Sequence, residues 1–119
     1  MSYNIQVYTA QTMLAEMEAE SEVFFDNDKN LIPFTEKQIQ SLKERILKHN
    51  YEITKEYKRG ISLKNPLFEG MKAIITSTGL FLRASYDDAF EIGMLASELC
   101  DSGEFAKYDP QADGWEILE

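Results

Sequence analysis

The sequence predicts a single α+β domain over residues 1–119, with a largely antiparallel sheet and about three helices packed on one face. Three observations predict it. Residues 71–76 and 80–85 are β runs joined through Ser77-Thr78-Gly79, the form of a hairpin. Thr35 with Gln38 makes a capping box, with Phe34 and Ile39 at the staple positions. Ile92, Leu95, Ala96 and Leu99 then keep helical spacing.

In chain order, Tyr3, Ile5 and Val7 alternate with polar residues and predict a strand. From Thr9 to Phe24 the positions Ala10, Met13, Leu14, Met17 and Phe24 fit a helical face, with Thr9 or Thr12 as its cap. Asp26 to Pro33 is a loop. The second helix runs from the Thr35 cap through Ile39, Leu42, Ile46 and Leu47 and stops at Asn50. Tyr51, Ile53 and Tyr57 predict a strand ending at Gly60, with Ile61 and Leu63 as its short continuation. After the 71–85 hairpin, Asp88 and Glu91 suggest a second capping box opening the third helix, and Gly103 occupies the place of a left-handed cap. A last hairpin is expected from Phe105–Tyr108 and Trp115–Leu118. The predicted order is β-α-α-β-β-β-α-β-β.

Charge is the most informative part of the composition. With 21 acids against 12 bases the formal charge is −9, which argues against a basic groove for nucleic acid or anionic membrane. One cysteine and one histidine leave no internal disulfide and no Cys/His zinc cage. No apolar run reaches membrane-spanning length and no signal-type leader stands at the start, so the cytoplasm is the expected compartment.

Candidate chemistry is sparse. His49, in the last turn of the second helix, reads as a surface residue favoured by the helix C-terminus. Cys100 reads as a small buried hydrophobe, and the adjacent Asp101 disfavours a thiolate. Asp26, Asp28 and Asn30 begin an EF-hand spacing that fails at Leu31 and Lys37, where Gly and Glu are needed. Asp109, Gln111, Asp113 and Gly114 come closer but end short of the twelfth ligand. Ordinary Asx turns explain both, and neither a metal nor a cofactor is expected. No Gly-rich phosphate loop is present, and no carboxylate pair stands out for glycoside hydrolysis. Phe25 reads either as an exposed anchor beside the acids or as a second core contact.

The acids fall in two blocks. Residues 16–28 hold Glu16, Glu18, Glu20, Glu22, Asp26 and Asp28 with no base. Residues 84–119 hold ten acids, among them Asp87, Asp88, Glu91, Glu98, Asp101 and Glu104, against Lys107 alone. The middle, residues 29–83, holds eleven bases and five acids. Charge runs are usually solvated faces. Solubility, however, calls for mixed signs. Helical i,i+4 carboxylates also lie about 6 Å apart, similar to the separation of neighbouring phosphates on a nucleic-acid strand.

In size, acidity and blocked carboxylates the chain resembles the bacterial DNA-mimic proteins, particularly the small ones that bind the histone-like protein HU. The resemblance implies a non-enzymatic protein that occupies the DNA-binding face of a basic partner, with those twelve acids as its contact residues and the basic middle turned away; a monomer is expected because a homodimer would bring acidic faces together unless it paired through that basic middle. Two other readings accompany it. One is an immunity or antitoxin protein neutralising a basic nuclease toxin by the same electrostatics. The other is a small enzyme or ligand-binding domain, which requires a deep cavity containing Asp or Glu of raised pKa.

Overall fold

The computed structural model describes residues 2–19, 24–26, 28–58, 60–68, 70–101, 103–110 and 114–115, and of Asp26 and Asp28 the backbone alone. Seven strands form one antiparallel sheet: β1 (Ser2–Thr9), β2 (Glu52–Tyr57), β3 (Gly60–Lys64), β4 (Lys72–Thr76), β5 (Leu80–Ser85), β6 (Phe105–Asp109) and β7 (Gly114–Trp115). Their spatial order is β2-β3-β4-β5-β1-β6-β7. The helices are α1 (Ala10–Ala19), α2 (Glu36–Leu47) and α3 (Ala89–Leu99). The α+β class follows from this arrangement.

The alternation read in the sequence decides which side chains enter the main core. Ile5 and Val7 of β1, Leu80 and Leu82 of β5, Ala73 and Ile75 of β4 and Leu63 of β3 are buried on one face. Against them pack Phe34, Leu42 and Ile46 from the α2 region and Ile92, Leu95, Ala96 and Leu99 from α3. Cys100 is buried there. A smaller cluster of Tyr8, Phe24 and Leu31 lies on the other side of β1, joined by Ala15, Phe25, Phe81, Tyr108 and Trp115. Phe25 is thus a core contact: its ring stacks on Tyr8, with centroids 5.2 Å apart.

Local signals mostly act as read. At the α2 start, the Thr35 hydroxyl accepts from the Gln38 N–H at 3.1 Å, and Gln38 Oε1 accepts from the Thr35 N–H at 2.9 Å. Asn50 and Gly103 take positive φ, 71° and 81°. Thr9 proves to be the α1 cap, accepting the Thr12 N–H at 3.0 Å.

Four expectations are corrected. Ile61 and Leu63 belong to a strand of their own, because the chain reverses between Tyr57 and Gly60, which are paired with each other. Gly60 also lets β4 approach closely: a Cβ there would stand 2.9 Å from the Ile75 carbonyl oxygen. The first helix does not bury the expected stripe, since Leu14 and Met17 are 56% and 42% exposed while Thr12 is fully buried. The Thr12 hydroxyl is the reason, because it accepts the Ile32 N–H at 2.9 Å and so turns inward. Phe24 stands in a separate 3₁₀ turn, Phe24–Asp26. Asp88 makes no cap, because a 3₁₀ turn, Tyr86–Asp88, already feeds α3, and its carboxylate accepts from Ser85 Oγ at 3.1 Å instead. The strand expected at residues 115–118 begins at Trp115 within β7, and residues 116–118 lie outside the described residues. Among the described residues, no helix is long and apolar enough to cross a membrane.

Candidate protein-binding surface

The first acidic block begins on α1. Glu16 is half-buried and accepts from Trp115 Nε1 at 3.3 Å, which ties it to β7. Glu18 is exposed. Glu20 and Glu22 lie outside the described residues, as do the side chains of Asp26 and Asp28, whose backbones occupy short 3₁₀ turns.

The second block divides between the two ends of α3. Asp87 and Glu91 are exposed at the N-terminal end, Asp88 is half-buried beside Ser85, and Glu98, Asp101 and Glu104 are exposed at the other end. There α2 brings bases that the linear sequence keeps apart. His49 Nε2 lies 3.0 Å from the Glu98 carboxylate, and Arg45 lies 3.3 Å from Asp101. The run of acids is therefore partly neutralised in space. At the N-terminal end, neither Asp87 nor Glu91 makes an ion pair with a described residue.

Position relative to β1 divides the second block. The Ala10 N–H donates to the Glu104 carbonyl at 3.0 Å, so α1 starts beside the C-terminal end of the second block. Asp87 follows Ser85, which pairs with Ser2 at the opposite end of β1. Seven residue steps of antiparallel strand place these ends about 24 Å apart. Glu104 and α1 share one end of the sheet, and Asp87 and Glu91 mark the other.

Two residues that the sequence reading did not single out complete the N-terminal patch. Phe90 is 74% exposed and Met94 57% exposed on the outer side of α3, bracketed by Asp87 and Glu91. The signal was present in the helical spacing. Ile92, Leu95, Ala96 and Leu99 define the buried stripe, and at about 100° per residue Phe90 falls nearly opposite Ile92. Large apolar side chains rimmed by charge commonly mark contact sites.

Clefts on the described surface include ones lined around Lys72 and Arg83, around Tyr57 and Ile61, and around Tyr8 and Phe25. No Asp or Glu lines any of the three. Among the described residues, no three His, Cys, Asp or Glu side chains converge as a metal site. Of the residues read as calcium-like, Asn30 donates to the Phe24 carbonyl at 3.0 Å and Asp109 accepts from the Tyr3 hydroxyl. Gln111 and Asp113 lie outside the described residues. No protein-family model, no curated protein and no solved structure matches the chain.

Proposed function

We propose that this chain is a non-enzymatic, cytoplasmic protein-binding module, acting as a monomer, whose acidic surface stands in for DNA phosphates on a basic nucleic-acid-binding protein such as a histone-like nucleoid protein. The observation that supports it best is the pair of exposed, unpaired carboxylates Asp87 and Glu91 at one end of α3. Charges of this kind act mainly on the rate of encounter, by steering a basic partner. Glu18 adds to the field from α1, and Asp101 contributes less because Arg45 opposes it.

The test is association with purified HU over a range of salt, with and without duplex DNA. The expected result is binding that duplex DNA competes away and that Asp87→Asn with Glu91→Gln slows several-fold. Binding indifferent to those substitutions would overturn the reading.

Phe90 favours a second reading, the immunity or antitoxin protein. A phosphate backbone offers no apolar counterpart to a ring that is 74% exposed, whereas a dedicated toxin surface supplies a pocket for such an anchor. A complex that survives high salt and is lost in Phe90→Ala would select this reading over the mimic.

A further inference from the structure

Several cations on the helix-covered face of the sheet have partners. Lys43 pairs with Glu56 at 3.3 Å and Arg45 with Asp101 at 3.3 Å, while Lys107 donates to the Gly93 carbonyl at 3.3 Å and Ser97 Oγ at 3.2 Å. The opposite face is different. The register sets Lys64 opposite Lys72, Lys72 opposite Arg83, and Arg83 opposite Asn4. Directly opposed residues of an antiparallel sheet point to one side, and neighbouring strands lie about 4.8 Å apart. Lys64, Lys72 and Arg83 therefore form one row of cations across β3, β4 and β5. All three are exposed, and none of their side chains makes an ion pair or hydrogen bond with a described residue. Glu52 stands beside Lys64 in the register and makes no ion pair with it.

Like charges directly opposed destabilise a sheet. A chain with 21 acids nevertheless leaves this row uncompensated among the described residues. Beside the row the surface changes character. Ile74, 44% exposed, is paired in register with the half-buried Phe81, and Phe81 with Gln6. Lys72, Arg83, Ile74, Phe81, Gln6 and Pro110 together line a cleft of about 390 Å³, within the usual size of small-molecule sites. Its floor is apolar and one rim is cationic.

We propose that this cleft binds a phosphomonoester carried on a flat apolar ring, the chemistry of a nucleoside monophosphate. Arg83 offers a planar fork of donors to two phosphate oxygens, and Lys72 offers a point charge to the same group. A dianion relieves the repulsion along the row in a way that a single carboxylate does not, and Lys64 attracts it from one strand away. The ring rests on Phe81 and Ile74. A single phosphate suits the site better than a nucleic-acid strand, because the net charge of −9 opposes a long polyanion while the local row still attracts one group. This site stands apart from the α3 surface and does not depend on the partner-binding reading.

The experiment titrates the full chain with the four common nucleoside 5′-monophosphates, following backbone amide shifts at low salt, with inorganic phosphate and the parent nucleosides as comparison ligands. At least one monophosphate is expected to give saturable shifts at Lys72, Ile74, Phe81 and Arg83, and to bind more tightly than phosphate or nucleoside alone. Lys72→Gln and Arg83→Gln are each expected to weaken it about tenfold. Both positions are exposed, and circular dichroism checks that the variants fold; Lys43→Gln, on the other face, is expected to leave binding unchanged. Absence of saturable shifts at millimolar ligand, shifts centred elsewhere, or a double variant that binds as the parent does would overturn the proposal. Self-association abolished by the same two substitutions would assign the row to the carboxylates of a second copy, and would overturn it as well.

Discussion

Arg45 of α2 holds the C-terminal end of α3 through two kinds of contact at once: one guanidinium nitrogen donates to the Glu98 carbonyl at 2.7 Å and lies 3.3 Å from the Asp101 carboxylate. A second nitrogen reaches the Leu99 carbonyl at 3.4 Å. The last carbonyls of a helix lack partners within it, and a cation there also meets the negative end of the helix dipole. Arg45→Ala is expected to cost about 1 kcal/mol, a few degrees in melting temperature. Arg45→Lys should recover only part of this, since an ammonium cannot span both contacts. Thermal denaturation of the two variants checks it, and a lysine variant as stable as the parent refutes it.

Thr12 joins α1 to the segment that follows it. Its buried hydroxyl accepts the Ile32 N–H at 2.9 Å and lies 2.9 Å from the Thr9 hydroxyl. Thr12→Val keeps the shape and leaves that N–H without its partner, a loss of about 1–3 kcal/mol. Thr12→Ser keeps the acceptor and is expected to lose much less. Hydrogen exchange at the Ile32 amide separates them: it accelerates in the valine variant and stays slow in the serine variant.

Two glycines respond oppositely to a methyl group. At Gly60 the added Cβ meets the Ile75 carbonyl oxygen at 2.9 Å, and neither strand can yield without losing register. Gly60→Ala is expected to destabilise by about 1–3 kcal/mol. At Gly93 within α3 the nearest atoms are 3.8 Å and 3.9 Å away, ordinary contact distances. Gly93→Ala should stabilise by up to about 1 kcal/mol through helix propensity. Urea denaturation of both variants reads the two signs directly.

Stability is expected to fall at alkaline pH for an identifiable reason. Burial pushes the Tyr8 and Tyr51 hydroxyls up to about 12, and the hydrogen bond to Asp109 is the main cause of the same shift at Tyr3. Unfolded, a tyrosine ionises near pH 10. Between those two values the native state keeps protons that the unfolded chain releases, so stability decreases as pH rises. The contribution is complete below about pH 10 and is lost on passing through about pH 12. Urea titrations at about pH 7, 10 and 11 should show constant stability and then decline.

Tyr51 offers a sharper version of the same test. Its hydroxyl is buried without a hydrogen-bond partner among the described residues. Tyr51→Phe removes an unsatisfied polar atom while keeping the ring, and is expected to be neutral or stabilising by up to about 1 kcal/mol near neutral pH. It should also shrink the alkaline decline. Clear destabilisation in this variant would mean that the hydroxyl has a partner in solution.

How far the sequence discloses this molecule depends on the reach of each signal. The Thr35–Gln38 box and the left-handed turn at Gly103 act within a few residues and are legible one after another in the chain. The reversal at Gly60 is harder to read, because a strand continued and a strand turned back share the same alternating pattern of Tyr57, Ile61 and Leu63. Thr12 inside and Leu14 outside reverse the expected helical face because one hydroxyl finds a backbone partner twenty residues away. The second acidic block looks uniform in one dimension, yet Arg45 reaches Asp101 across 56 residues. The cationic row on the open face depends on the register of three strands, so Lys64, Lys72 and Arg83 appear in the sequence only as scattered bases.

The place of β1 in the sheet has a consequence for how the chain is made. Strands β2 to β5 each pair with the next one along the chain, so that meander can close through short connections as it leaves the ribosome. β1 is synthesised first but lies between β5 and β6, and its partners are residues 80–85 and 105–108. At about 5–20 residues per second, Ile5 and Val7 wait several seconds for either neighbour. During that interval they form an unpaired apolar strand attached to a growing chain. An interior strand of the finished sheet thus spends that interval unpaired, in the form that a ribosome-bound chaperone shelters.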